Sequence, residues 1–244
     1  MSHEAVISIQ NVYKSFGNNK VLIDFSSDLH RGENLVVLGK SGSGKSVLIK
    51  CIIGLLKPDK GSILVLGEEI TSMNAKSLDE MRMKVGFLFQ SNALYDSMTV
   101  KENLEFPLRR HKRKISRKEE EELIQEALEN VGLGHTQNMM PSELSGGMRK
   151  RIALARTLVL KPEIVLYDEP TTGLDPITGR EISTLILELQ KKYNTSSIII
   201  SHDLSCANIT ANEVVMLIDG KCYARDKLEV LRQSTDPKIK SFFT

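Results

Sequence analysis

Eight consecutive residues, Gly39-Lys40-Ser41-Gly42-Ser43-Gly44-Lys45-Ser46, restrict the folds open to this chain more than any other feature in it. They satisfy the spacing G-x-x-x-x-G-K-[ST], which arises by chance in on the order of one chain in a hundred of this length. The flanks match what such a loop needs. Leu35-Val36-Val37-Leu38 ahead of it reads as a buried strand, and Val47-Leu48-Ile49 after it opens an apolar helix. Glycines let successive backbone N–H groups turn toward one anion, and the helix N-terminus adds its partial positive charge. Gly39, Lys40, Ser41, Gly42, Ser43 and Gly44 thus form a phosphate cradle, with Lys45 reaching the terminal phosphates of a nucleoside triphosphate and the Ser46 hydroxyl holding magnesium.

At 244 residues, with 41% hydrophobic and 26% charged content, the chain has the make-up of one large soluble α/β domain, or of a core with an insertion. Its net charge of +2 provides no global field for nucleic acid, so no nucleic-acid partner is expected. Cys51, Cys206 and Cys222 show neither paired spacing nor a metal-ligand pattern, the usage of a reduced cytoplasmic protein. Met1-Ser2-His3-Glu4-Ala5 lacks the basic-then-apolar run of a secretory signal. The apolar cluster Cys51-Ile52-Ile53-Gly54-Leu55-Leu56 is far shorter than the roughly 18 residues of a spanning helix. Membrane spans, if the protein serves any, are expected on other chains.

Alternating residues over 6–13 and 21–29 predict half-buried strands, the second followed by a turn at Arg31-Gly32. The stretch 45–56 predicts a helix apolar almost all round, and so buried between two layers, ended by Pro58 and Gly61. Further strands are expected at 63–66 and 85–89. From Ser91 to about Leu160 the pattern turns helical without a strand, and Ser116-Arg117-Lys118-Glu119 fits a capping box opening a charged helix through Val131. Continuously apolar runs at 164–167 and 197–200 then read as central parallel strands covered on both faces. The expected organisation is a core of 1–90 and 162–244, interrupted by a helical insertion at 91–161.

Tyr167-Asp168-Glu169 ends one of these apolar strands, on the sheet edge where ligands of open parallel sheets bind. Asp168 can support the magnesium shell and Glu169 can polarise a water facing the γ-phosphate. Ser201-His202-Asp203 ends the other. A lone histidine is commonly structural, but at the mouth of a phosphate site His202 can hydrogen-bond the γ-phosphate and steady the attacking water. Leu144-Ser145-Gly146-Gly147-Met148, directly before the helical run 149–160, makes a second anion-binding helix terminus.

In this order, over essentially the whole chain, these motifs resemble the ATPase subunit of ABC transporters. Residues 39–46 match Walker A, Gln90 the Q-loop, 144–148 the signature, 164–169 Walker B, Gly173-Leu174-Asp175 the D-loop and His202 the switch histidine. Phe16 stands where the family stacks an aromatic ring on adenine. The resemblance implies a P-loop NTPase of the ABC type: a RecA-like parallel-sheet core, an N-terminal antiparallel β subdomain and an α-helical insertion. It also implies a homodimer sandwiching two ATP molecules, each between one subunit's Lys45 loop and the other's Ser145-Gly146-Gly147. Glu169 would be the general base, His202 would hold the γ-phosphate, and Gln90 would touch magnesium and the catalytic water while sensing a membrane permease subunit. In the family, residues 92–98 form the groove for a coupling helix of that permease.

Finer tags resemble the phospholipid-trafficking (Mla, MCE-associated) ATPases. They are Val47 after the phosphate loop, residues 89–95, Glu105-Phe106-Pro107-Leu108, Met140-Pro141-Ser142-Glu143, Met148 in place of the usual glutamine, and Asp175-Pro176-Ile177-Thr178. This subgroup implies lipid transport, a peripheral seat on the cytoplasmic face of the inner membrane, and an MCE-domain lipid-binding protein as a further partner. An ATPase for amino acids, ions or drugs would share every catalytic motif. A non-transport ABC protein would usually carry two cassettes in one chain or a long coiled coil, and this chain has neither. The densest basic run, Arg109-Arg110-His111-Lys112-Arg113-Lys114 with Arg117-Lys118, reads by default as a solvated face. The sharper reading is contact with anionic lipid headgroups, which Glu119-Glu120-Glu121-Glu122 would partly cancel.

Overall fold

The computed structural model describes residues 4–111 and 115–243. Two long strands, β1 (Ala5–Phe16) and β2 (Asn19–His30), form a hairpin, placing Ile7, Ile9, Val12, Leu22, Phe25 and Leu29 in the core. β3 (Asn34–Leu38), buried throughout, leads through the phosphate loop into α1 (Lys45–Ile52). This helix is shorter than its apolar run suggested. Gly54 takes φ 69°, and the amides of Leu55 and Leu56 both fold back onto the Lys50 carbonyl at 2.8 and 3.1 Å. A left-handed glycine therefore ends the helix, and Pro58 and Gly61 lie beyond it in the connection. β4 (Lys60–Val65) and the two-residue β5 (Glu68–Glu69) complete an antiparallel sheet of order β2-β1-β4-β5. α2 (Ala75–Lys84), which the sequence reading did not anticipate, is capped by Asn74 and runs straight into β6 (Val85–Leu88).

The segment after β6 is helical as expected: α3 (Val100–His111), α4 (Arg117–Glu129) and α5 (Gly146–Leu158). Thr99 and Glu102 cap α3 reciprocally at 2.7 and 3.2 Å, and Ser116 accepts from the Glu119 amide at 3.2 Å, the anticipated cap of α4. The chain then alternates: β7 (Ile164–Asp168), α6 (Pro176–Tyr193), β8 (Ser196–Ser201), α7 (Leu204–Thr210), β9 (Glu213–Ile218), β10 (Lys221–Asp226), α8 (Leu228–Arg232) and α9 (Pro237–Lys240). The second sheet has the order β10-β9-β3-β8-β7-β6, parallel except for β10.

Parallel register brings the carboxyl ends of four strands to one edge: Leu38 pairs with Ser201, Asp168 with Ile200, and Leu88 with Tyr167. Successive strand residues point to opposite faces, so this sheet divides the interior. Val36, Leu38, Val165, Tyr167 and Ile199 belong to a core shared with α3–α7, whereas Leu35, Val37, Ile164, Leu166, Ile198 and Ile200 pack with α1 and the antiparallel sheet.

Within the basic run, Arg109 pairs with Glu105 at 2.6 Å and Glu120 at 3.5 Å, and Arg110 with Asp79 at 3.7 Å. Arg117 pairs with Glu121 at 3.3 Å and Lys118 with Glu122 at 3.8 Å. These four bases face carboxylates, as a solvated surface would arrange them. Lys112, Arg113 and Lys114 lie outside the described residues.

Candidate active site

The phosphate loop closes through steric necessity at Gly44. Its φ is 102°, and a Cβ there would stand 2.9 Å from Val21 Cγ1 and 3.0 Å from the Val21 carbonyl. Only a glycine lets the loop turn this tightly against β2 while offering its carbonyl to the Leu48 amide at 2.9 Å. Lys45 is buried, and its Nζ donates to the carbonyls of Gly39 (2.7 Å) and Lys40 (3.1 Å). The same ammonium sits 3.4 Å from Glu169 Oε1. Next to it, the Ser46 hydroxyl donates to Asp168 Oδ1 at 3.0 Å. Burial pushes the Asp168 carboxyl above its ordinary range, with the Ser46 hydrogen bond opposing.

Glu169 adopts φ 51°, a left-handed conformation unusual for a side-chain-bearing residue, with its amide donating to the Ile200 carbonyl at 3.0 Å. Such backbone strain costs about 1–3 kcal/mol and persists where neighbours over-determine it. Here they also fix the carboxylate, which is only 7% exposed. Oε2 accepts from Thr172 Oγ1 at 3.1 Å and lies 2.8 Å from His202 Nδ1. Because a carboxylate only accepts, Nδ1 carries the hydrogen and Nε2 is left as the ring's other polar atom. Asp203 anchors the turn behind His202 by capping α7 and accepting from Thr171 Oγ1 at 3.1 Å.

A cleft of about 760 Å³ gathers these groups. Its walls are Phe16, Val21, Lys40, Ser41, Gly42, Gly44, Lys45, Ser46, Val47, Gln90, Glu169, Thr172 and His202, within the usual size of ligand pockets. Phe16 is 49% exposed, with Lys14 Nζ 5.5 Å from its ring centroid. Gly39, Ser43 and Asp168 do not line the cleft; a Cβ on Gly39 would strike Ser43 Oγ. Ser145, Gly146 and Gly147 are not part of the cleft. Ser145 caps α5 through the Met148 amide at 3.2 Å, while Gly147 abuts Thr178 and Gly146 faces Leu174. The expected nucleotide residues therefore fall into two groups, one around the phosphate loop and one at the α5 terminus beside the start of α6. Near the latter, Asp175 caps α6 and Ile177 stands 72% exposed.

Among the described residues, no three His, Cys, Asp or Glu side chains converge as a metal site. The donor chemistry nevertheless fits magnesium, which commonly uses one or two carboxylates with waters and substrate phosphates. Ser46 and Gln90 on the cleft wall, and Asp168 bonded to Ser46, offer hard oxygens.

Four residues of the site escaped the sequence reading: Val21, Thr172, Lys150 and Arg156. Lys150 is 2% exposed, and its Nζ donates to the Gln90 carbonyl at 3.1 Å. Burial pushes its ammonium down to about 8, with Asp168 opposing. A signal existed, since Lys150 precedes Ala153 and Leu154 by three and four positions and so falls on the apolar face of its helix. Arg156 donates to the carbonyls of Ala93 (2.8 Å) and Asn92 (2.9 Å) in the same loop as Gln90.

Comparison with known proteins gives consistent matches. A family model described as ABC transporter matches residues 22–172. The chain is 41% identical over 236 residues to the probable ribonucleotide transport ATP-binding protein mkl of Mycobacterium leprae, covering 97% of this chain and 68% of that one. It is 35% identical over 237 residues to the intermembrane phospholipid transport system ATP-binding protein MlaF of Escherichia coli K12, covering 97% and 88%. Among solved structures, the dimeric ABC transporter cassette MJ0796 superposes with a TM-score of 0.84 at 31% identity, covering 91% of this chain and 98% of that chain.

Proposed function

The chain belongs to the ABC transporter family and is an ATP-binding ATPase of that kind, and from that premise we propose that its hydrolysis powers phospholipid transport between membranes. The reading rests on one observation above the rest: a single cleft holds the phosphate loop, Gln90, and a buried carboxylate bonded to His202 and facing Lys45. Lys45 and the loop amides bind the phosphates of ATP, and Phe16 stacks on the base. Ser46, Asp168 and Gln90 would hold magnesium, which when bound would neutralise charge on the phosphates. Glu169 accepts a proton from the attacking water as the water oxygen bonds to the γ-phosphorus. The bond to the bridging oxygen breaks and ADP departs. His202 and Thr172 keep the Glu169 carboxylate aimed, and His202 also contacts the γ-phosphate.

The α5 terminus, apart from the cleft, serves a second copy: Ser145-Gly146-Gly147 of one protomer closes on the ATP held by its partner. Among the described residues no helix is long and apolar enough to cross a membrane. The likeness to the ATP-binding protein of a transport system supports a chain that works through separate membrane subunits, seated peripherally at the cytoplasmic face. The exposed rings of Tyr95 and Phe106, 5.0 Å apart beside residues 92–98, are the floor that receives the permease's coupling segment. An MCE-domain lipid carrier completes the system.

The phospholipid cargo is supported by the likeness to MlaF over 88% of its length. A ribonucleotide cargo, suggested by the name of the mycobacterial relative, is the second reading, and this chain spans about two thirds of that relative. Purifying the complex from membranes and identifying bound cargo by mass spectrometry separates them: phospholipid supports the first, ribonucleotide the second. For the chemistry, Glu169→Gln is expected to keep ATP binding and lose about 10²–10⁴ in turnover. Near-normal hydrolysis would remove Glu169 as base. Lys45→Ala should weaken ATP binding.

A further inference from the structure

A lysine side chain that is almost wholly buried needs partners, and Lys150 has an unusual one. Its neighbours Arg149 and Arg151 turn outward to the Leu144 carbonyl (2.8 Å) and to Glu181 (2.9 Å). Lys150 instead enters the core and donates to the backbone carbonyl of Gln90 at 3.1 Å. Six residues further along α5, Arg156 grips the carbonyls of Asn92 and Ala93. Thr157 Oγ1 reaches the Phe87 carbonyl at 3.5 Å. One helix thus holds one carbonyl of β6 and three of the chain leaving it, and that same helix begins at Ser145-Gly146-Gly147.

We propose that Lys150 is a positioning residue that ties α5 to the Gln90 loop, so that the α5 terminus and the Gln90 side chain move as one unit. Backbone carbonyls leave the side chain of Gln90 free to work in the cleft while its main chain is fixed from behind. Arg156 anchors the outer half of the loop next to Tyr95, with its guanidinium 5.9 Å from that ring. A displacement of residues 92–98 is therefore passed to Gln90 and to α5 together. The proposal rests on the role given above to Gln90 in the cleft, at the magnesium and the catalytic water.

The test uses the ATPase assembled with its membrane subunits. Lys150→Met keeps the volume and removes the donor. The expected result is a kcat at least 10-fold lower with KM for ATP within 2-fold, a melting temperature no lower than the parent's, and recovery to within about 3-fold of the parent by Lys150→Arg. An unchanged kcat overturns the tie, as does a loss shared by kcat and KM that follows a fall in melting temperature. Gln90→Ala, measured beside it, separates the two ideas. If Gln90→Ala is silent, the placement of Gln90 fails, whereas if it is slow and Lys150→Met is silent, only the tie fails. A second measurement needs no variant: hydrogen exchange of amides 91–94 and of the first half of α5 must change together on adding ATP. A response confined to one of them overturns the proposal.

Discussion

Arg156 offers the most quantitative test of how the loop after β6 is held. Asn92 and Ala93 both sit in the left-handed region, at φ 65° and 50°, a conformation that for alanine costs roughly 1–2 kcal/mol. Their carbonyls converge on one guanidinium at 2.9 and 2.8 Å, and burial depresses the proton affinity of that group. Hydrogen bonds to a charged donor contribute about 1.5–3 kcal/mol each, and the Tyr95 ring adds about 0.5–1 kcal/mol. Against this stands the desolvation of the guanidinium, which Arg156→Met removes. The balance is a destabilisation of about 2–4 kcal/mol. Urea unfolding of the full chain at fixed pH measures it, with the slope against denaturant unchanged. Arg156→Lys, a single point charge in place of a fork, should lose roughly half as much. A loss below about 0.5 kcal/mol for Arg156→Met, or none for Arg156→Lys, would refute the claim that the guanidinium enforces the strained loop.

Lys150 should reveal itself through pH. Its folded ammonium titrates near 8 rather than 10.5, so the folded state binds fewer protons and stability rises with pH between those values. Relative to Lys150→Met, the parent should gain about 3 kcal/mol from pH 7 to pH 10.5 in denaturant titrations, and a flat difference would contradict the burial. Gly44→Ala, strained at φ 102° and crowded by Val21, should lower ATP affinity at least about 10-fold, as isothermal titration would record. Ile177→Asp, at an exposed site, should alter unfolding free energy by less than about 0.5 kcal/mol yet suppress ATP-dependent dimers of Glu169→Gln in light scattering.

The residues that gather around the cleft were legible where their pattern is local: a tight loop between strand and helix, and acids at a strand end. The cap at Ser116 was legible for the same reason, since it is closed within four residues. What sequence concealed depends on distant partners. Val21 matters only because β2 passes beside Gly44, and Thr172 only because the chain turns back on Glu169. Lys150 is the middle of a basic triplet in the sequence, and beyond its spacing to Ala153 and Leu154 it is the packing of α5 that separates it from Arg149 and Arg151. The end of α1 was misjudged because continuous apolar residues carried the pattern past Gly54, whose left-handed backbone decides the matter.

The parallel sheet that divides the interior has an evolutionary corollary. Val36 and Val37 are adjacent in sequence, yet one packs toward the helical insertion and the other toward α1 and the antiparallel sheet. Substitutions at the two should be nearly additive despite their adjacency, because they share no packing partners. Lineages can therefore repack the core beneath the helical half without repacking the core beneath α1 and the antiparallel sheet. Drift on one side of the sheet need not be compensated on the other.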